Sequence, residues 1–251
     1  MIVLFAGLVT DGVSRMMAVQ IPNRYNIQYL RTIPSDNRPI YSVCWDGADV
    51  VAGSQDSILT FSTLCFGAYS YVSTQNIRGT IESIKKVGDY AFAIVHKKGD
   101  GREVRISSIK TLCDPKTTVC RFKQQDDYIQ TLAVSDQYIA VCDVDSRVVN
   151  MWTTRGQFLM TIGEDMFCFS SGVLILGNCL LVTDNITKCL HKFRLESHSA
   201  KLIWTCKDLD SPTGIRVDKH GLIYVASEEG GVIYLVSPEG KLACAFPCTV
   251  N

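Results

Sequence analysis

Residues 211–246 read SPTGIRVDKHGLIYVASEEGGVIYLVSPEGKLACAF, and this stretch decides the fold. Four runs rich in β-branched, aromatic and aliphatic residues alternate with short turns that contain Gly or Pro. Because Gly supplies a positive φ and Pro a fixed φ, each turn carries the residue type that its geometry needs. The second run, 222–226, is almost entirely apolar, which predicts a strand covered on both faces. The pattern therefore predicts a four-stranded antiparallel unit.

The centre of this unit recurs at four earlier places along the chain. Aligning the apolar core of the second strand gives steps of 41, 48, 41 and 43 residues. The aligned positions are Ala52, Ala93, Val141, Val182 and Val225. Repeats of about 40–50 residues made only of strands and turns are typical of a β-propeller, with one four-stranded blade per repeat. We therefore predict an all-β, six-bladed β-propeller that forms a single domain over residues 1–251.

The first predicted blade is incomplete. The predicted blades are 1–34, 40–72, 80–124, 128–164, 171–208 and 211–247. The first contains three strands (2–6, 15–20 and 26–33) and lacks a counterpart of the innermost strand at 214–218. Either this blade is short or the chain begins partway through a longer protein, and we expect the second.

Composition narrows the function classes. The chain has 25 basic and 25 acidic residues, and this balance argues against nucleic acid as the principal partner, so no DNA binding is expected. The apolar residues 1–9 lack the basic start of a signal peptide, and no apolar run is long enough to span a membrane. Most of the 11 cysteines lie in apolar strand patterns, where cysteine acts as a small hydrophobe. We therefore expect a reducing, cytoplasmic location and no membrane association.

The last repeat resembles the NHL repeat. The resemblance covers about 35 residues and is weaker over 131–163. Its residues are Pro212, Gly214, Ile215, Val217, Asp218, Gly221, Ile223, Tyr224, Val225, Ala226, Val232, Ile233, Tyr234, Ser237, Pro238 and Gly240. The family usually ends the second strand with Asp, which Asp143 and Asp184 match, whereas Ser54 and Ser227 depart. The chain is similar to the NHL (TolB-like) propellers that end the tripartite-motif (TRIM) proteins.

This resemblance implies a six-bladed disc that binds partners on its wide faces. The partners are proteins in many members of the family and RNA in some. Full-length relatives are often ubiquitin ligases, whose chemistry belongs to a RING with zinc-binding cysteine pairs. This chain has no Cys-x2-Cys spacing, so the hypothesis that the protein is a ligase requires a RING that is absent from the present sequence.

The candidate binding residues lie in the turns between second and third strands, which emerge on one face of a propeller. A basic arc is predicted there over the third, fourth and fifth blades, and Glu228 and Glu229 of the sixth blade end it. Its members are Lys97, Lys98, Arg102, Arg147 and Lys188. The alternative is a rim of mixed, solvated charges. The arc would suit an acidic protein segment or RNA phosphates, and the shortage of aromatic residues for base stacking favours protein.

An enzyme is a further alternative, because six-bladed propellers also include metal-dependent lactonases and lyases. Such sites need carboxylates with Asn or His converging on the channel, yet His96 and His220 are predicted in turns, His191 in a strand and His198 in a loop. Asp143 and Asp184 recur at one blade position and are predicted to cap the turn that follows. We predict no catalytic residue, metal or cofactor. The expected function is a non-catalytic protein-binding module, with RNA binding as the alternative and an enzyme as a distant third.

Overall fold

The computed structural model describes the backbone of residues 2–10, 13–21, 28–34, 40–45, 49–54, 57–63, 69–76, 80–87, 90–97, 101–107, 118–121 and 129–247, apart from 228 and 230. Side-chain surroundings are described for 83–85 and for 131–247, again without 228 and 230. The chain divides into two compact units, Met1–Gln125 and Asp126–Asn251. Each unit is described by itself, and the single-domain organisation stays a prediction.

In the first unit the described strands form three antiparallel sheets, each a simple meander in chain order. The three-stranded sheet is β1 (Ile2–Thr10), β2 (Val13–Ile21) and β3 (Gln28–Pro34). The next sheet is β4 (Ile40–Trp45), β5 (Asp49–Ser54), β6 (Ser57–Thr63) and β7 (Tyr69–Asn76). The third is β8 (Thr80–Val87), β9 (Tyr90–Lys97), β10 (Gly101–Ser107) and β11 (Thr118–Arg121).

The second unit contains three further four-stranded meanders. The first is β12 (Ile129–Val134), β13 (Tyr138–Asp143), β14 (Val148–Thr153) and β15 (Phe158–Ile162). The second is β16 (Ser170–Leu176), β17 (Cys179–Asp184), β18 (Cys189–Leu195) and β19 (Ala200–Cys206). The third is β20 (Pro212–Val217), β21 (Ile223–Ser227), β22 (Val232–Val236) and β23 (Leu242–Pro247). Within the described chain, no helix has the length and hydropathy needed to cross a bilayer.

Strand register identifies which strands the first sheet contains. In each four-stranded sheet, the register shifts between the first and second strands and between the third and fourth strands. It does not shift between the second and third strands. The β1–β2 pair has no shift, and the β2–β3 pair shifts between Ala18 and Val19. The three strands therefore correspond to strands two, three and four of a blade. A first strand for this sheet is not among the described strands.

The apolar core of the second unit lies between neighbouring sheets. Side chains alternate along a strand, so β17 sends Leu180 and Val182 to one side and Leu181 to the other. Leu180 and Val182 pack with Met151 and other residues of β13–β15, whereas Leu181 packs with Val225 and other residues of β20–β22. Both faces of the second strand are therefore buried, which confirms the interpretation of its unbroken apolar run. Full burial of each such aliphatic side chain stabilises the fold by about 1.5–3 kcal/mol.

The cysteines in these strands behave as packed apolar groups. The six cysteines whose side chains are described are all free thiols. Cys142 is fully buried in β13, and burial raises the pKa of its thiol to about 12, so that it stays protonated at neutral pH.

Polar contacts also join the fifth and sixth blades near their first strands. The Ser171 hydroxyl donates to the carbonyl of Pro212 at 2.5 Å, and the Thr183 hydroxyl donates to the carbonyl of Thr213 at 2.8 Å. Gly172 lies between these contacts, because a Cβ atom placed on it would be 1.8 Å from the Thr213 oxygen. The absence of a side chain at Gly172 thus allows β16 and β20 to approach closely.

Replacing Gly172 with alanine should therefore destabilise the protein. The added methyl group would separate the two blades or break the hydrogen bond to Thr213, at a cost of about 2–3 kcal/mol in the free energy of unfolding. Gly214→Ala is the matched control, since a Cβ there meets only Ala226 at an ordinary 3.8 Å. Urea unfolding of both variants measures the difference. Equal stability of the two variants would contradict the close approach.

Candidate interaction surface

The turn that follows β13 is capped by the side chain of Asp143. This residue is 6% exposed, and its Oδ1 atom accepts a hydrogen bond from the backbone N–H of Ser146 at 3.0 Å. The turn closes with the N–H of Arg147 donating to the carbonyl of Val144 at 3.2 Å. Arg147 takes a positive φ of 57° and its side chain is exposed. The capped turn therefore holds an exposed guanidinium in a fixed backbone position.

The turn after β17 repeats this design with a more deeply engaged carboxylate. Asp184 is fully buried and accepts hydrogen bonds from four backbone N–H groups. They belong to Ile186 and Thr187 in the turn, both at 3.1 Å, and to Cys168 and Phe169 in the preceding connection, at 2.6 and 3.2 Å. The capping role predicted for both aspartates is confirmed. Four backbone N–H groups therefore engage the carboxylate of Asp184.

Lys188 lies at the position equivalent to Arg147. Its φ is 56° and its side chain is exposed, but its ammonium group donates to Asp210 Oδ1 at 2.7 Å. This hydrogen bond and the charge of Asp210 raise the pKa of Lys188. Arg147, in contrast, makes no ion pair with any residue described here. Arg147 of the fourth blade is therefore less neutralised by neighbouring carboxylates than Lys188 of the fifth.

The remaining residues of the predicted arc have different positions. Lys97 ends strand β9 and Arg102 lies in β10, where it pairs with His96, while Lys98 falls outside the described residues. The prediction that Lys97, Arg102 and His96 lie in a turn is therefore wrong. The ladder extends further than expected because Gly101 pairs with Lys97, which leaves only 98–100 between the strands. Val95 pairs with Glu103 as Asp143 pairs with Val148 and Asp184 with Cys189, so by register Arg102 is the counterpart of Arg147 and Lys188.

The binding roles of Lys97, Lys98, Arg102, Arg147 and Lys188 stay predictions. The structure brings Arg147 and Lys188 to equivalent turns of adjacent blades within one unit. Of the acidic pair expected to end the arc, Glu228 lies outside the described residues and Glu229 is exposed in the turn after β21.

The other histidines are placed as the sequence predicted. His220 is exposed in the turn after β20, and His198 is exposed in the connection between β18 and β19. His191 lies in β18, is 6% exposed, and shares a hydrogen bond between its Nδ1 atom and the Thr205 hydroxyl at 3.0 Å. The rings of Phe167 and Phe193 pack against it with centroids 5.6 and 6.3 Å away. It is a packed histidine, and no described cluster of three or more His, Cys, Asp or Glu residues could hold a metal ion.

One feature of the surface was not singled out from the sequence. A groove of about 620 Å³ lies between the fifth blade and the turn that joins β22 to β23. It is lined by Asn178, Cys179, Lys192, Arg194, Ile203, Trp204, Pro238 and Glu239. The available signal was the alternation in β18, where Lys192 and Arg194 are separated by the buried Phe193. Such alternation is typical of any strand with one solvated face, so it does not identify a groove by itself.

Solved structures identify the class of fold. The chain is similar to a chain of the nidogen/laminin complex (TM-score 0.72, 13% identity), covering 98% of this chain and 92% of that one. It is also similar to a 6-phosphogluconolactonase-like protein of Bacteroides uniformis (TM-score 0.68, 13% identity), covering 95% of this chain and 79% of that one. A third similar structure is the WD40 β-propeller domain of Doa1 (TM-score 0.64, 12% identity), covering 97% of this chain and 78% of that one. No family model matches the sequence, and neither does any curated protein. The chain is an all-β propeller whose meanders are its blades, which confirms the predicted fold class.

Replacing Asp184 or Asp143 with asparagine tests whether these carboxylates stabilise the fold. In Asp184→Asn the amide nitrogen would face a backbone N–H donor, so the buried cap would lose at least one charge-assisted bond and about 2–4 kcal/mol of unfolding free energy. Asp143→Asn should cost less, because one backbone N–H donates to its carboxylate. Denaturant unfolding measures both. A fully stable Asp184→Asn protein would contradict the capping role.

Acid should destabilise the fold through His191. Desolvation lowers the pKa of His191 below its ordinary 6.5, although the charge of Asp184 opposes this shift. The unfolded chain therefore binds a proton more readily than the folded one, so this contribution to stability is present above about pH 6.5 and is lost as the pH falls. His191→Phe should reduce the loss of stability between pH 7 and 5, as measured by urea titrations. The control variant His198→Phe, at an exposed site, should lose as much stability between pH 7 and 5 as the unmodified protein. An unchanged pH dependence of stability in His191→Phe would argue against a buried, neutral His191 ring.

Proposed function

We propose that this propeller is a non-catalytic module that binds a protein partner through the turns between second and third strands. The observation that carries the proposal is the equivalent placement of Arg147 and Lys188, at φ 57° and 56°, on capped turns of adjacent blades. A binding surface of this kind is fixed before the partner arrives. Because less conformational entropy is then lost on docking, more of the contact energy is available as affinity.

The chemistry of these turns favours an acidic protein segment. Arg147 offers a planar guanidinium that can bind a carboxylate through two parallel hydrogen bonds. Lys188 is partly neutralised by Asp210, so its charge supports the association more weakly. The turns at 143–147 and 184–188 contain no aromatic residue on which a base could stack, which supports protein over single-stranded RNA.

A substrate-recognition role in a TRIM-type ubiquitin ligase is the finer form of this proposal. It is supported by the NHL-like motif over 212–240, and it requires a RING supplied outside the present sequence in the reducing cytoplasm. The structural neighbour from the nidogen/laminin complex belongs to a protein–protein assembly, which supports a protein partner in general. The lactonase-like neighbour supports an enzyme instead. Against that alternative, backbone hydrogen bonds engage the recurrent carboxylates of Asp143 and Asp184.

Reversing the charge of this surface should weaken partner binding. We expect Arg147→Glu combined with Lys188→Gln to reduce capture of the partner by about tenfold or more, because a carboxylate would meet an acidic segment. The measurement is affinity capture from lysate with and without RNase treatment, followed by titration of the recovered protein against each variant. Arg155→Glu with Lys219→Gln is the matched control, since these exposed cations lie in turns at the opposite ends of the strands.

The same experiment distinguishes the alternatives. If RNase treatment abolishes capture, and if capture weakens steeply with rising salt concentration, the RNA-binding hypothesis is favoured. Capture that is unchanged in the charge-reversed variant but lost in the control would place the binding surface elsewhere and overturn the proposal.

A further inference from the structure

The groove between the fifth and sixth blades has a rigid aromatic wall. The indole N–H of Trp204 donates to the carbonyl of Pro238 at 3.1 Å, and the Lys192 ammonium donates to the same oxygen at 3.4 Å. Lys192 also lies 5.6 Å from the centroid of the Trp204 ring. Gly240 packs closely against the ring, since a Cβ atom there would lie 2.5 Å from its Cδ2 atom. The wall is therefore held by two blades at once.

A β-bulge turns an aliphatic side chain toward this groove. Lys192 pairs with Trp204 and Phe193 pairs with Leu202, so Ile203 is the extra residue of the shifted register. A bulge commonly redirects the side chain of the residue it contains. Ile203 lines the groove beside Trp204 and is 42% exposed, so an aliphatic surface is available there.

The groove is positively charged on the side of the fifth blade. Lys192 and Arg194 are two residues apart on β18, so they project from the same face, opposite to His191 and Phe193. Arg194 is exposed and makes no ion pair within the described chain. On the side of the sixth blade, Glu239 is hydrogen-bonded with Ser237. This hydrogen bond is the largest cause of the lowered pKa of Glu239. Two cations therefore face one carboxylate that already has a partner.

This charge is not a consequence of the repeat. Asp143 pairs with Val148 as Asp184 pairs with Cys189, so Met151 and Thr153 are the fourth-blade counterparts of Lys192 and Arg194. A pocket between the fourth and fifth blades is lined by Leu159, Met160 and other residues that include neither Lys nor Arg. The fold requires neither cation at these positions, so their presence calls for another explanation.

We propose that this groove binds an acidic, extended segment of a partner protein. A carboxylate of the segment pairs with the Arg194 guanidinium, and an adjacent apolar side chain packs against Ile203 and Trp204. The groove includes Asn178 and the turn at 237–241, which lie at the opposite ends of the strands from Arg147 and Lys188. It is a second binding surface, and it does not rest on the first.

Selection from short random peptides displayed on phage tests this inference. We expect enriched peptides to carry Asp or Glu next to an aliphatic or aromatic residue. A selected peptide, fluorescently labelled and titrated by polarisation, should bind Arg194→Glu and Ile203→Ser about tenfold more weakly than the unmodified chain, a loss of roughly 1.4 kcal/mol each. Both side chains are exposed, and thermal unfolding verifies that the variants remain folded.

Matched controls make the outcome specific. Leu242→Ser removes an aliphatic residue with the same 42% exposure from another outer strand, and Arg155→Glu reverses an exposed cation outside the groove. Both should bind like the unmodified chain, and so should Arg147→Glu with Lys188→Gln, which separates this result from the turn surface. Absence of enriched peptides, a consensus without acidic residues, preference for an RNA oligonucleotide, or unchanged affinity in Arg194→Glu would each overturn the proposal.

Discussion

Burial of the second strand of each blade on both faces is the constraint on which the second unit depends. Strand β17 is the clearest example, because Leu180 and Val182 belong to the core shared with the fourth blade and Leu181 to the core shared with the sixth. A blade taken alone would expose both cores to water. Its stability therefore comes from its neighbours, as in other repeat architectures in which each unit contacts mainly the adjacent ones. The close approach at Gly172 and the hydrogen bonds from Ser171 and Thr183 follow from the same packing.

This packing also determines which polar groups are free for function. A strand with both faces buried ends at an abrupt turn, and the backbone N–H groups of that turn need acceptors. Asp184 supplies them while fully buried, which explains why an acidic residue recurs at the end of this strand. The geometry confirms the cap that was predicted from this recurrence. Exposed residues such as Arg147 carry the chemistry that remains available.

Sequence reasoning recovered the features that depend on local chemistry. The apolar second strands, the Gly and Pro turns and the capping aspartates each follow from residues close together in the chain. Features that depend on strand pairing were not recoverable. The residues 96–102 could form a long turn or a longer ladder, and only the pairing of Gly101 with Lys97 decides between them. The ion pair of Lys188 with Asp210 joins residues 22 positions apart, which no local pattern indicates.

The groove illustrates the same limit and suggests where function lies in this fold. Whether Ile203 faces the core or the solvent depends on the register between β18 and β19, and a shift of one residue reverses the facing of a strand. Equivalent positions in the fourth and fifth blades carry Thr153 and Arg194 without changing the meander. Because the packing tolerates either choice, these side chains are free to be selected by a partner. Differences between equivalent blade positions are therefore a better guide to binding than the residues that the blades share.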